Sequence, residues 1–210
     1  MQKTQVAICV RMADVQTKAH FIEPMLLLRT NRLPEGAGWE YEVKLDGYRA
    51  IAFRSGGHVH LRSRNDKDFG GKYSGIVKAL SSLPDETVID GEVVALDEAG
   101  RPSFNALQNY GPSKGSLLYY VFDVLTIRGR DVTGESLSSR RELLDREVLP
   151  KLREPIRVSA VLDASLPDLI HAVQAQGPGG SQQNEKYSRC ESRQRSGAWQ
   201  KMRVNRARNS

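Results

Sequence analysis

The sequence is poor in cysteine and aromatics and has no long apolar run, and each shortage excludes a class of protein. Its two cysteines, Cys9 and Cys190, lie far apart without partners at metal-ligand spacing, which excludes a disulfide scaffold or a zinc ribbon. No stretch approaches the roughly 20 apolar residues that cross a bilayer. The first twenty residues are broken by Arg11, Asp14 and Lys18 and offer no secretory core, so a cytoplasmic chain with no membrane partner is expected. No internal repeat is present. Most of the chain also lacks charge of one sign. The net charge is +6, yet residues 181–210 alone hold eight Lys or Arg against two acids, leaving the remainder balanced. A basic end can meet phosphate backbones; from charge alone, a solvated end is the simpler reading.

What is present is ordinary globular composition, 39% hydrophobic and 27% charged over 210 residues, enough for one or two domains. Before Phe21 the pattern is weak and reads as a leader, residues 1–20. Trp39 to Leu45 and Tyr48 to Phe53 look like strands, joined around Asp46-Gly47, a tight-turn dipeptide. His58 to Arg62 follows Gly56-Gly57 as the next strand of a meander. Tyr73, Ile76, Val77 and Leu80 fall at helical spacing and predict a helix over 72–82. Thr87 to Leu96 and the almost wholly apolar Leu117 to Leu125 read as strands, the second a buried central one. Ser139-Arg-Arg-Glu142 has a capping-box pattern opening a helix through Val148, and 166–176 is another helix stopped by Gly177. Residues 177–197 show neither period and read as a long polar loop, before a last strand at 198–204. The mixture is α+β.

Lys44-Leu45-Asp46-Gly47-Tyr48-Arg49 is the segment that carries chemistry. A lysine closing a buried strand beside an arginine can present a neutral amine, because desolvation and a neighbouring cation both disfavour the ammonium. Alone, K-x-D-G equally describes a surface hairpin lysine. Six segments in order change the balance: FIEPM at 21–25, WEYEVKLDGYRA at 39–50, LRSRNDKDF at 61–69, DGEVVALDEAGRPSF at 90–104, YYVFDVL at 119–125 and SGAWQKMRV at 196–204. Together they resemble the adenylation (nucleotidyltransferase) domain of ATP-dependent DNA ligases, with the bacterial ligase-D type used in end joining the nearest likeness.

The resemblance implies a nucleotidyltransferase (ATP-grasp-like) fold over 21–204, with antiparallel sheets, flanking helices and a basic tail at 205–210. It implies ATP and Mg²⁺, nicked or broken DNA, end-joining proteins as partners, and a monomer. Lys44 is then the residue that attacks the α-phosphate of ATP to give a lysyl-AMP intermediate. Arg49 grips the ribose and phosphate side, Glu42 contacts adenine through its backbone, and Arg64 meets AMP or the nick phosphate. Glu92 sits near the ribose and the metal, Phe122 stacks on adenine, and Lys201 neutralises the α-phosphate. Arg49 favours the ATP-dependent over the NAD-dependent branch, and Leu45 argues against the capping branch, which carries Thr there.

Two departures qualify the likeness. The family carries a motif of the form E-G-x-x-A-K-R, whose Glu binds metal and whose Lys holds phosphate; its spacing points to positions 179 and 184. This chain has Gly179 and Asn184, with Glu185 and Lys186 out of register. One choice of codons for Gly180–Lys186, read one base out of frame, gives Ile-Thr-Ala-Lys-Arg-Glu. A local frameshift across 177–195 is therefore one explanation and a diverged loop the other. The family's OB-fold domain is also missing from the 210 residues, and Arg203 stands where a second Lys is common. Weakened adenylation and incomplete nick sealing are the expectations. Two rivals stay open: a non-catalytic ATP- or nucleic-acid-binding remnant, and an RNA-ligase or capping-type nucleotidyltransferase.

Overall fold

The computed structural model describes residues 17–111, 116–162 and 179–204 together with Leu166, Asp168 and His171, with the backbone alone at 179–183 and 203–204. Residues 1–16, the tail at 205–210, most of the helix expected at 166–176 and its Gly177 stop lie outside the described residues.

Two mostly antiparallel sheets form the molecule, and the sequence explains most of their strands. In the six-stranded sheet, β3 (Tyr48–Ser55), β4 (His58–Ser63), β5 (Thr87–Ala95), β6 (Leu117–Ile127) and β7 (Arg130–Asp131) run in the order β4-β3-β5-β6-β7, with β8 (Ile156–Val158) parallel to β6. Both faces of this sheet are covered, which is why β5 and β6 read as continuous apolar runs. Ala50 and Ala52 of β3 face one core with Ile76, Leu80, Tyr119 and Val148, while Ile51 and Phe53 face the other with Ala19, Val88 and Leu125. Gly91 lies in β5 because a Cβ there would meet Tyr120 O at 2.5 Å and the Tyr119 ring at 2.7 Å.

The five-stranded sheet has the order β1-β11-β10-β2-β9, built from β1 (Leu28–Arg29), β2 (Trp39–Lys44), β9 (Val161–Leu162), β10 (Gly179–Glu185) and β11 (Trp199–Val204). Its outer face packs Leu33, Tyr41, Leu162, Leu166 and Met202 together. Its inner face packs Trp199 against Phe122 and Met25 beside the larger sheet.

Short helices α1 (Ser74–Ala79), α2 (Phe104–Gln108) and α3 (Leu137–Leu143) flank the larger sheet. Ser103 Oγ accepts from Ala106 N at the start of α2.

Four expectations need correction. Asp46-Gly47 does not close a hairpin: β2 and β3 belong to different sheets, and the link between them crosses from one to the other. The polar stretch 177–197 is not loop throughout, because 179–185 forms β10 between β2 and β11, with Gly180 opposite Lys44 and Gln182 opposite Lys201. Ladder bonds to two neighbours override its poor strand propensity. The helix after residue 136 is capped by Ser136, whose Oγ accepts from Ser139 N, so Ser139 lies inside α3 rather than before it. Thr17 and Ala19, expected in the leader at 1–20, are bonded into the fold: Thr17 N donates to Gly129 O and Ala19 N to the Glu86 carboxylate.

Candidate active site

Strand alternation assembles the site. On β2, Tyr41 faces the outer core, so Glu40, Glu42 and Lys44 share the inner face. The register sets Lys201 on β11 level with Glu42, across Gln182 on β10. After Lys44 the chain crosses to the larger sheet at Gly47, whose position requires glycine: a Cβ would lie 2.2 Å from Val93 O and 2.8 Å from Glu92 Cγ. Arg49 and Glu92 then stand opposite each other on β3 and β5.

The result is a cleft of about 460 Å³ between the sheets, lined by Lys44, Arg49, Arg64, Glu92 and Lys201 among others. Five of the seven residues expected at the site therefore meet in one cavity. A second hollow, about 550 Å³, is walled among the described residues by Arg32, Leu33, Pro34, Glu35 and Gln200.

Lys44 is less enclosed than its strand pattern suggested. Its side chain is 30% exposed, with Nζ 3.5 Å from Asp46 Oδ1 and donating to Leu45 O at 3.3 Å. Arg49 is held firmly: Nε donates to Asp90 Oδ1 at 2.8 Å and Nη2 to Oδ2 at 2.6 Å, a bidentate pair. Burial works against its charge, but Asp90, Glu92 and Asp123 outweigh that and raise its pKa. Its guanidinium carbon lies 4.8 Å from the Phe122 ring centre and 5.2 Å from that of Trp199.

Glu92 is the one carboxylate among the described residues that line the cleft. It accepts from Gly47 N at 3.1 Å. Burial pushes its pKa up to about 7, against the opposing pull of Arg49, Lys44 and the Gly47 N–H. Among the described residues no group of three or more His, Cys, Asp or Glu could hold a metal ion. A single carboxylate still suits Mg²⁺, which keeps waters and takes much of its shell from substrate phosphates.

Glu42 and Phe122 do not reach the cleft surface. Glu42 is fully buried and ion-paired to Arg141. Phe122 is 5% exposed, edge-on to Trp199 and covered by Arg49. Conversely, the cavity includes residues that sequence reasoning passed over: Arg195, whose Nη1 donates to Leu27 O at 2.8 Å, and an aromatic wall of Tyr48, Phe69 and Phe104. Phe69 and Phe104 each end one of the six family-like segments, at 61–69 and 90–104, which is the available signal. Arg195 sat in the stretch that had no pattern to read. Asp90, the partner of Arg49, lay two residues before Glu92 on the same strand face.

Positions 179 and 184 fall on β10, beside this site. Asn184 is fully buried opposite Trp199. Neither its Oδ1 nor Trp199 Nε1 has a hydrogen-bond partner among the described residues, and such an orphan costs about 1–3 kcal/mol. The amide nitrogen of Asn184 is matched, since Nδ2 donates to Glu42 Oε1 at 2.6 Å.

Comparisons with known proteins identify the family. The chain is 38% identical over 153 residues to the multifunctional non-homologous end joining protein LigD of Pseudomonas aeruginosa, covering 71% of this chain and 18% of that protein. It is 37% identical over 142 residues to DNA ligase C1 of Mycolicibacterium smegmatis, covering 60% of this chain and 41% of the relative. The match thus spans about a fifth of the first relative's length and about two fifths of the second's. Its fold superposes on a mycobacterial DNA ligase D complexed with ATP and MES, with a TM-score of 0.75 at 28% identity, covering 87% of this chain and 60% of that one. The ATP dependent DNA ligase domain family matches residues 24–202, and with the nucleotidyltransferase fold and cleft in place, the chain belongs to that family.

Proposed function

We propose that this chain carries out the first step of ATP-dependent DNA ligation, adenylation of Lys44, in a protein that seals DNA breaks in an end-joining setting. The observation that carries the reading is the convergence of Lys44, Arg49, Arg64, Glu92 and Lys201 on one cleft between two sheets. The neutral Lys44 amine attacks the α-phosphorus of ATP. An N–P bond forms, the P–O bond to pyrophosphate breaks, and the amine proton passes to solvent. Lys201 and Arg64 offset the charge that builds on the phosphoryl oxygens. Arg49, anchored by Asp90, is a fixed positive charge in the cleft wall. Glu92 is the residue that would hold Mg²⁺, which when bound supplies neutralisation of phosphate charge. Phe122 supports Arg49 from behind, and Glu42 anchors β2. The AMP would then pass to a DNA 5′-phosphate, with broken duplex DNA as substrate and the protein acting as a monomer.

The test is intact mass after incubation with ATP and Mg²⁺, alongside Lys44→Ala. A covalent AMP adduct present in the parent and absent in the variant is expected; no adduct on a folded chain overturns the reading.

A second reading, a domain that binds ATP or nucleic acid without catalysis, is favoured by one observation. Gly179 and Asn184 stand on β10 where the family resemblance expects a metal carboxylate and a phosphate lysine. Salt-dependent DNA binding that survives Lys44→Ala, with no adduct, would select it.

A further inference from the structure

The buried acid on the nucleophile's strand is fully occupied. Glu42 Oε1 accepts from Arg141 Nη2 and from Asn184 Nδ2 at 2.6 Å, and Oε2 accepts from Ser159 Oγ at 2.9 Å. Its side chain has no exposed surface. A carboxylate so enclosed acts on the site through its partners. The dominant partner, Arg141, belongs to α3 and is fixed at three points. Nη2 meets Glu42, Nη1 meets Glu40, and Nε donates to Phe122 O at 3.2 Å.

Those three points lie on both sheets. Glu40 and Glu42 are on β2 of the five-stranded sheet, and Phe122 is on β6 of the six-stranded one. The base of α3 reinforces the bridge, since Ser138 N donates to Lys186 O, one residue beyond β10, at 2.9 Å. Arg141 is itself 12% exposed and is not among the residues lining the cleft. Its contacts with the site run through Glu42 and Phe122. Lys44 follows Glu42 by two residues on the same face of the same strand, while Arg49 rests on the Phe122 ring.

We propose that Arg141 is a positioning residue for the reaction at Lys44. Its forked guanidinium locks β2 to β6, which sets the separation between the nucleophile and the Arg49–Glu92 wall. A lysine could satisfy the charge but not the two carboxylates and the carbonyl at once. The proposal rests on the adenylation reading for its consequence, but the strut can be tested without activity.

Two variants of the full chain make the test, Arg141→Lys and Arg141→Met/Glu40→Gln/Glu42→Gln. The second leaves no buried charge behind and so keeps the test open if the first does not fold. In both, hydrogen exchange read by mass spectrometry is expected to quicken about tenfold or more at 39–45, with 87–95 and 117–127 within about twofold of the parent. The single-turnover rate of AMP-adduct formation at saturating ATP is expected to fall about tenfold or more, with half-saturating ATP within about threefold. Unchanged exchange at 39–45, or equal quickening in both sheets, would overturn the proposal. So would a triple variant that adenylates at the parent rate, or a loss carried by half-saturating ATP alone, which would mean direct ligand contact. A parent that forms no adduct defeats the adenylation reading instead, and the exchange result still decides the strut.

Discussion

Replacing Gly47 with alanine tests the joint between the two sheets. The added Cβ would sit 2.2 Å from Val93 O, 2.8 Å from Glu92 Cγ and 3.1 Å from Val93 C. Ordinary contacts begin near 3.5 Å, so something must move by about 1 Å. Val93 cannot yield, because β5 is laddered to Tyr48 on one side and Tyr119 on the other. The crossing segment from Leu45 to Gly47 must move, carrying Lys44 and Asp46 with it. Overpacking of this kind costs about 1–3 kcal/mol, and displacement also weakens the Gly47 N–H bond to Glu92 at 3.1 Å. A loss of about 3 kcal/mol is expected. A shift of about 1 Å at the nucleophile is expected to slow adenylation by about 100-fold. Urea melts read the first quantity as a lower midpoint at constant slope, and adduct formation over time reads the second. Gly75→Ala is the control: it lies in α1 with nothing within 4 Å of its Cβ and is expected to stabilise by about 0.4–1 kcal/mol. A Gly47→Ala chain within about 0.5 kcal/mol of the parent and equally active would refute the close approach.

Glu92 makes stability depend on pH. Its pKa is raised from 4.5 to about 7, so between those values the folded chain holds a proton that the unfolded chain has released. Stability from this group is complete below pH 4.5 and is lost as pH rises through 7, by about 2 kcal/mol once solvent in the open cleft is allowed for. Thermal melts across that range should lose this slope in Glu92→Gln; a slope unchanged in the variant assigns it elsewhere. Arg140 Nε and Nη2 hold Asp123 at 2.8 and 2.7 Å with both side chains buried, so Arg140→Met should cost about 3–5 kcal/mol. Adding Asp123→Leu should recover part of that loss in denaturant melts, and no recovery would mean the uncompensated charge was not the cause. Finally, Gly179→Glu/Asn184→Lys should raise the rate of AMP-adduct formation about tenfold or more, and an unaltered rate would show that β10 is not a damaged motif. The codons for 177–195 should contain Ile-Thr-Ala-Lys-Arg-Glu one base out of frame, which nucleotide sequencing decides.

Much of the larger sheet was legible because its strands carry their own signal. Ala50, Ile51, Ala52 and Phe53 are apolar throughout because both faces are buried, and β6 announced itself by the same continuity. The cleft residues were legible for a different reason: Lys44, Arg49, Arg64, Glu92 and Lys201 sit in short segments whose order and spacing resemble one family. The same likeness places Glu42 near ligand through its backbone and Phe122 through its ring. That Arg141 pairs with the Glu42 side chain and Arg49 lies over the Phe122 ring is recorded in no local pattern. Ser136 carries no capping-box signal, since Ser139 and not Glu follows it by three, whereas Ser139 has Glu142; the hydrogen bond from Ser139 N to Ser136 Oγ makes Ser136 the cap.

By itself the sequence determined which segments become strands wherever burial is strong, since alternation and apolar content act within a few residues along the chain. It also determined the chemical set available to a cleft. Tertiary structure decided the partners. Asp46-Gly47 has hairpin residues, yet it joins two sheets because β2 finds its ladder with β10 and β9 while β3 finds its own with β4 and β5. Gly179–Glu185 has no strand signal, yet it is a strand because β2 and β11 offer it unpaired backbone on both sides. Hydrogen bonds between segments more than 130 residues apart, as between Glu42 and Asn184, satisfy buried polar groups whose cost is set by the folded surroundings.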